Sequence, residues 1–152
     1  MIVYRITNSR YKDDISGAGA KAKGARWNMP GSSLLYTAEN ISLCTLELLV
    51  HIGFDEIQHL YHLLAISIPD NASINKINPD KLKTNWQEDE DYTAFMGTEF
   101  IKNNQALILK VPSAVITEEH NFLVNPNHSD FKKIKIVRSK PFVFDKRLYI
   151  FK

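Results

Sequence analysis

Short apolar segments recur along the chain between polar ones. The first of them alternates hydrophobic with polar residues, and residues 60–69 are rich in β-branched and aromatic residues, both of which are typical of β-strands. In the first half, these segments cover residues 2–7, 33–38 and 60–69. Nearer the C-terminus, further segments cover residues 106–113, 120–125, 134–137 and 142–151. Proline and asparagine residues separate these later segments and indicate turns. We therefore predict a strand at each of these segments, the last of which runs almost to the final residue.

Two longer segments are predicted to be helices. The first begins at Asn40 or Ser42, either of which can cap a helix, and runs to about residue 52, before Gly53. The second covers residues 88–103, where acidic residues crowd the first turn and apolar residues follow at helical spacing. Residues 78–86 indicate a short irregular or helical piece. Because strands lead at both ends and helices lie in the middle, we predict an α+β fold.

Residues 9–33 are polar, rich in glycine and interrupted by Pro30, so we predict that they are mostly loop. Such a segment is either a surface loop or a wall at which glycines let the backbone come close to a ligand. It contains neither the G-x-G-x-x-G pattern of dinucleotide-binding folds nor the G-K-[ST] ending of a phosphate-binding loop. A ligand-binding role would therefore need support from residues elsewhere.

The composition is that of an ordinary globular domain, and we expect residues 1–152 to form a single domain. Hydrophobic residues make up 44% and charged residues 24%, which is sufficient for one core. The formal net charge of +2 is far from the strongly basic balance of nucleic-acid-binding domains. We therefore expect no direct nucleic-acid binding, whereas a small anionic ligand is compatible with this charge.

The number of cysteines and the lengths of the apolar segments indicate the cellular compartment. Cys44 is the only cysteine, so an intrachain disulfide is excluded and the reducing cytoplasm is favoured. The first residues are typical of a strand rather than of a signal peptide. No apolar stretch approaches the roughly 18 residues of a membrane-spanning helix. We expect a cytoplasmic protein that does not cross a membrane.

Glu47 is the most informative candidate for chemistry. It is the only Asp, Glu, Lys or Arg between residues 41 and 54, within a helix that is apolar on nearly every face. A carboxylate in a buried helix costs free energy unless it is paired or hydrogen-bonded. Either Glu47 forms a structural salt bridge or reaches solvent at a thin polar edge, or it lies at the floor of a pocket. In a pocket it could orient a hydroxyl group or stabilise positive charge.

Four further residues have both a structural and a functional interpretation. Arg5 could be a solvated strand residue, but together with Arg26 beside the glycine-rich segment it could clamp a phosphate or pyrophosphate. Tyr36 could pack in the core or stack on a flat ring. Ser113 could cap its own turn. Because no G-x-S-x-G pattern surrounds it, a hydrolase nucleophile is disfavoured.

A metal site is not expected. None of the five histidines forms an H-E-x-x-H pattern, and a single cysteine cannot supply a zinc knuckle. His59 and His62 are three residues apart in or near a predicted strand, where they would point to opposite faces.

Several blocks of the chain, taken in order, resemble the RES-domain toxins. The blocks are Tyr4-Arg5, SGAGAKAKGARWNMPG, LLYTAENISLCTLELLVH, LKVPSAV and NFLVNPNHSDF, and the resemblance as a whole extends from residue 3 to about residue 150. These proteins are the toxin halves of bacterial RES–Xre type II toxin–antitoxin modules, and the family is named for an Arg, a Glu and a Ser. The resemblance places these residues at Arg26, Glu47 and Ser113.

The same resemblance makes Arg5 a second family-typical arginine and Tyr36 the family's tyrosine at a strand end. One departure is visible, because the chain has Gly24-Ala25 where family members commonly have two glycines before the arginine. Alanine fits that position only if its φ is negative.

The resemblance implies a fold similar to that of ADP-ribosyltransferase toxins, with mixed central β-sheets, flanking helices and NAD+ in a central cleft. NAD+ is then the substrate, and no separate cofactor is needed. Family members cleave the nicotinamide–ribose bond by hydrolysis or phosphorolysis, and the loss of NAD+ arrests growth. Some relatives instead transfer ADP-ribose to a protein, and a non-catalytic NAD-binding module is a third alternative.

The resemblance also implies roles and partners. Arg5 and Arg26 would clamp the pyrophosphate, Tyr36 would support nicotinamide, Glu47 would face the ribose, and Ser113 would position the substrate by a hydrogen bond. The expected partner is an Xre-like antitoxin with a helix-turn-helix region. The surface composition also permits a homodimer.

Overall fold

The computed structural model describes residues 1–53 and 55–149, and its centre is one mixed β-sheet. The strands are β1 (Ile2–Asn8), β2 (Leu35–Ala38), β3 (Tyr61–Ser67), β4 (Ile74–Lys76), β5 (Ile108–Pro112), β6 (His120–Val124) and β7 (Lys135–Phe142). In space their order is β4-β5-β6-β2-β1-β3-β7. The β4–β5 pair is parallel and all other neighbours are antiparallel.

Three α-helices accompany the sheet: α1 (Ala18–Lys23), α2 (Ile41–Leu49) and α3 (Glu90–Asn103). Short 3-10 turns cover Ser9–Tyr11, Glu56–Gln58, Pro79–Lys81, Trp86–Glu88, Ser129–Lys133 and Lys146–Leu148. The α+β prediction is therefore confirmed. No helix within residues 1–53 and 55–149 is long and apolar enough to cross a membrane.

Both predicted long helices form, and their caps explain where they begin. The Asn40 side chain accepts a hydrogen bond from Leu43 N at 2.7 Å, so Asn40 rather than Ser42 is the N-cap of α2. The Asp89 side chain likewise accepts from Tyr92 N and begins α3, which ends at Asn104 in a left-handed conformation. The predicted burial of α2 is only partly right, because Leu43 and Cys44 alone are fully buried.

The prediction of mostly loop over residues 9–33 missed α1. This helix lies between Gly17 and Gly24, whose φ values of 74° and 73° lie in the region that favours glycine. The glycines that indicated a loop are thus the residues that delimit a short helix.

The predictions for the C-terminal part need a larger correction. Residues 134–137 and 142–151 were predicted as separate strands, but β7 continues through Pro141 to Phe142. Proline is tolerated there because β7 is at the edge of the sheet. Residues 146–148 form a 3-10 turn instead of a strand, and residues 150–151 lie outside the described residues. The short strand β4 was not predicted.

The hydrophobic core differs on the two faces of the sheet. One face carries a continuous cluster from five strands, including Val3, Leu35, Leu64, Ile108 and Val124. The side chains of the other face form two clusters. One joins β5 and β6 to α3 and includes Trp27, Trp86 and Leu123, and the other joins β1 and β3 to α2. The strands β1 and β2 meet between these two clusters.

Candidate active site

The strands β1 and β2 separate after a single residue pair, Tyr4 with Ala38. Beyond this pair, Arg5 Nη1 donates to the Tyr36 carbonyl at 3.1 Å, and Ile6 N donates to Cys44 Sγ at 3.1 Å. In each of these two bonds a side chain replaces the backbone partner that a continuing antiparallel ladder would supply. The result is a split in the middle of the sheet.

Glu47, on α2, is held beside this split by two neutral donors. Its Oε1 accepts a hydrogen bond from Ser113 Oγ at 2.7 Å and from Asn121 Nδ2 at 2.5 Å. Glu47 is half-buried and belongs to no ion pair among residues 1–53 and 55–149. Within these residues no salt bridge accounts for the carboxylate, and hydrogen bonds offset the cost of placing it here.

Ser113 lies immediately after β5 and is fully buried. Its oxygen accepts hydrogen bonds from Val115 N and Ile116 N, each at 3.0 Å. This is the turn cap that the sequence suggested as the ordinary role of a serine. Because both acceptor sites of the oxygen are used, its proton points to Glu47. The turn role and the contact with Glu47 therefore coexist.

Arg5 is a buried charge at the split that lacks both an ion-pair partner and one hydrogen-bond acceptor among the described residues. Its Nε is buried and has no hydrogen-bond partner among the described residues, and none of their ion pairs includes Arg5. Burial lowers the pKa of the Arg5 guanidinium, an effect opposed by Cys44 and Asp14. An anion that entered the split would supply the missing acceptor.

Cys44 lies close to both charges of the site. Burial raises the pKa of its thiol to about 12, the nearby Arg5 lowers that pKa, and Glu47 raises it. The thiol is thus close enough to both Arg5 and Glu47 to feel their charges. Among the described residues, no hydrogen bond joins Arg5 directly to Glu47.

Arg26 lies on the other side of Tyr36, against the start of α3. Its Nη1 donates to the Gln87 carbonyl at 2.8 Å, and its Nη2 is 3.3 Å from Glu90 Oε1. Close packing fixes this segment on α3, because a Cβ at Gly97 would lie 1.8 Å from the Trp27 carbonyl oxygen. Ala25 is not among the described residues with positive φ, so alanine is accommodated without strain.

Tyr36 connects the two arginines through its backbone and its side chain. Its carbonyl accepts from Arg5, while its hydroxyl donates to Asn28 Oδ1 at 2.7 Å and accepts from Trp27 N at 2.9 Å. Burial raises the pKa of the Tyr36 phenol. Its ring packs against the cluster that includes Trp27 and Leu123, so the core-packing interpretation is correct for the ring.

The structure therefore brings the predicted residues together in two groups. Glu47 touches Ser113, and Arg5 touches Tyr36, which holds the segment that carries Arg26. Sequence reasoning missed Asn121, Asn28 and Cys44. A signal for Asn121 was present, because alternation in β6 places it opposite Phe122 and Val124, on the face shared with Ala38.

The acidic, histidine and cysteine side chains were also compared with the requirements of a metal site. Within residues 1–53 and 55–149, no group of three or more His, Cys, Asp or Glu side chains could hold a metal ion.

Comparisons with known proteins identify the family of the chain. The RES domain family model matches residues 2–145. A protein named Toxin Res from Photorhabdus laumondii is 40% identical over 152 residues, covering 97% of each chain. A protein named Prs ADP-ribosylating toxin from a Sphingobium species is 34% identical over 140 residues, covering 90% of this chain and 87% of that one.

A solved structure, the toxin–antitoxin complex MbcT–MbcA of M. tuberculosis, contains a chain with the same fold. The TM-score is 0.77 at 19% identity, over 93% of this chain and 84% of that chain. With the family match and the relatives above, the fold and the sequence agree: the chain belongs to the RES domain family.

Proposed function

We propose that this chain is the toxin of a toxin–antitoxin system and that it cleaves the nicotinamide–ribose bond of NAD+. The observation that carries the proposal is the Glu47 carboxylate, held by Ser113 and Asn121 beside a split that also contains the uncompensated Arg5. Relatives named as toxins, one of them ADP-ribosylating, support the same class of activity.

The proposed reaction places few demands on the protein. The carbon–nitrogen bond between ribose and nicotinamide breaks, and its electron pair neutralises the positively charged pyridinium ring. The leaving group therefore needs no proton. Positive charge develops on the ribose, as in glycoside hydrolysis, and an oxygen of water or phosphate attacks it and then loses a proton.

Glu47 would supply the negative charge that favours this transition state. Two donors occupy Oε1, and Oε2 accepts no hydrogen bond from the described residues. Oε2 would therefore accept a hydrogen bond from a ribose hydroxyl or face the developing cation. Ser113 and Asn121 would act as positioning residues for this carboxylate. A carboxylate that is already fixed in place stabilises the transition state more than a mobile one, because no free energy is spent on reorienting it.

The arginines would bind the pyrophosphate. Arg5 fits this role because a phosphate oxygen could accept from its buried Nε, which lacks an acceptor among the described residues. Arg26 already contacts Glu90, so a phosphate would have to compete with that exposed carboxylate. Tyr36 would act by holding both arginine-bearing segments. Its ring is half-buried against the core, so stacking on nicotinamide would use the part of the ring face that the core leaves exposed.

The test is incubation of the purified chain with NAD+, with and without phosphate, followed by separation of nicotinamide and the sugar product. We expect nicotinamide release, and the identity of the sugar distinguishes hydrolysis from phosphorolysis. Folded wild-type protein that consumes no NAD+ under either condition would refute the enzymatic proposal. If that protein binds NAD+ without consuming it, a non-catalytic NAD-binding module is correct.

A second candidate function is transfer of ADP-ribose to a protein, which the Sphingobium relative favours by its name. Incubation of the chain with cell protein and with NAD+ labelled in its adenine ring tests this function, because transfer leaves the label on protein, whereas hydrolysis leaves it on a small molecule.

We also propose an Xre-like antitoxin as partner, in line with the toxin–antitoxin complex of similar fold. Co-purification with the product of a neighbouring gene would test this partner.

A further inference from the structure

The charge of the chain is distributed unevenly. Residues 132–147 contain seven of its 19 lysines and arginines but only one of its 17 acidic residues. Lys133 and Arg147 form ion pairs with Asp130 and Asp145. Lys135, Arg138 and Lys140 are exposed on β7 and belong to no ion pair among the described residues. We call β7 with these three side chains the basic edge.

The basic edge also offers backbone hydrogen-bonding groups. The strand β7 is the last in the sheet and pairs with β3 alone among residues 1–53 and 55–149. Among the described residues, no strand pairs with the N–H and C=O groups of its outer side, which a further strand could therefore use. Lysines on an edge strand discourage pairing with another copy of the same chain but attract a strand that carries negative charge.

An apolar cavity lies at the end of the basic edge. Its volume is about 340 Å³, and its lining includes Leu60, Tyr61, Pro141, Phe142, Val143 and Phe144. At the rim, Val143 is 86% exposed and Leu60 is 79% exposed. We call this cavity the apolar socket. It is large enough for a bulky side chain and lies where a strand added along β7 would end.

We propose that the basic edge and the apolar socket bind an extended acidic segment of a partner protein, which adds a strand to β7 and places one bulky apolar side chain in the socket. Free backbone groups, unpaired cations and the socket each match one property of such a segment. A nucleic acid would satisfy the cations alone. The surface shares no hydrogen bond with Glu47, Ser113 or Arg5, so the proposal goes beyond the NAD+ chemistry and does not depend on it.

The test uses the full chain and a fluorescent peptide of about eight residues, the length of β7, in which Glu alternates with Thr and the last residue is Phe. Fluorescence anisotropy measures affinity, and amide hydrogen exchange locates the contact. We expect saturable binding that weakens with salt, together with slower exchange within residues 135–142. A peptide with Lys in place of Glu should not bind.

Variants distinguish this surface from general attraction of opposite charges. The double variant Arg138→Glu with Lys140→Glu should weaken peptide binding at least tenfold. The uncharged variant Leu60→Ser should weaken binding of the Phe-ended peptide but not of one ending in Ala. The matched control is Lys76→Glu with Lys81→Glu, because both lysines are exposed and belong to no ion pair among the described residues. The control should bind as well as the wild type.

Three results would overturn the proposal: unchanged exchange across residues 135–142, equal weakening by the control pair, or tighter binding of a duplex DNA of equal charge. NAD+ consumption is measured in parallel and should be unaltered in all of these variants. The proposed function and this surface can therefore fail independently.

Discussion

The Ser113 hydroxyl donates to Glu47 Oε1 at 2.7 Å, and the turn that follows Ser113 fixes the direction of that proton. Two backbone N–H groups already occupy the serine oxygen, so the serine is the donor and the carboxylate is the acceptor. Asn121 donates to the same carboxylate oxygen. One oxygen of Glu47 is thus held by the protein, and the other accepts no hydrogen bond from the described residues.

Replacement of Glu47 by glutamine should abolish most activity and leave the fold intact. The amide oxygen of glutamine can accept both hydrogen bonds that Oε1 accepts, whereas the negative charge is lost. We expect NAD+ consumption to fall by about 10²–10³-fold, the usual effect of removing one electrostatic group from a preorganised site. Glu118→Gln removes an exposed carboxylate and serves as the control. Wild-type turnover by a folded Glu47→Gln protein would contradict the assigned role.

Replacement of Asn121 by aspartate should make stability depend on pH. Two carboxyl groups about 2.5 Å apart cannot both ionise, so the folded state raises the apparent pKa of the pair. The folded variant then binds more protons than its unfolded chain above pH 4 or so, and its stability falls as the pH rises through the raised pKa. Thermal unfolding at pH 5 and pH 8 measures this difference. Asn121→Ala should not show it, and parallel behaviour of the two variants would argue against the contact.

Replacement of Gly97 by alanine should displace the segment that carries Arg26. The new Cβ would lie 1.8 Å from the Trp27 carbonyl oxygen, so the helix or the segment must move. Overpacking of this kind costs about 1–3 kcal/mol, or a fall in Tm of roughly 3–10 °C for a chain of this size. We also expect a higher KM for NAD+.

The matched control is Gly19→Ala, because Gly19 lies in α1 and a Cβ there would meet nothing within 4 Å. Alanine in a helix is better than glycine by about 0.5–1 kcal/mol, so this variant should be slightly stabilised. A Gly97→Ala protein as stable as the control would show that α3 and the Trp27 segment are less tightly packed than described.

The buried thiol of Cys44 should destabilise the protein at alkaline pH. Burial raises its pKa from the ordinary 9.0 to about 12, so between these values the folded chain holds a proton that the unfolded chain releases. The stability contribution is complete below about pH 9 and is lost as the pH rises toward 12. Cys44→Ser keeps an acceptor for Ile6 N but does not titrate in this range. The difference in unfolding free energy between wild type and Cys44→Ser should therefore change between pH 8 and pH 10.5, and a constant difference would contradict a buried thiol.

The pattern of neighbouring residues was sufficient to predict most strands and helices and to identify Glu47 as a candidate site residue. The short apolar segments located β1, β2 and β3, and the Asn40 cap located the start of α2, because each depends on neighbours within a few residues. Glu47 stood out as the lone acid of an apolar helix, and the structure gives it the hydrogen bonds that such an acid requires. The catalytic roles of Glu47, Arg26 and Ser113 stay predictions.

Features that depend on distant parts of the chain were not predictable in this way. Asn121 and Glu47 are 74 residues apart, and only the order of the strands brings them together. The continuity of β7 through Pro141 depends on its position at the edge, which alternation does not reveal. Likewise, the role of Cys44 at the split depends on its contact with Ile6 N.

The single Tyr4–Ala38 pair means that the sheet consists of two panels joined at one point, β4-β5-β6-β2 and β1-β3-β7. Bending between the panels would keep the strand pairings within each panel but would disturb the Arg5 and Ile6 hydrogen bonds to Tyr36 and Cys44. It would also shift the apolar cluster that Val3 of one panel shares with Leu35 and Val124 of the other. A ligand that draws Arg5 away from Tyr36 would act on this hinge directly, so binding and opening of the sheet are expected to be coupled.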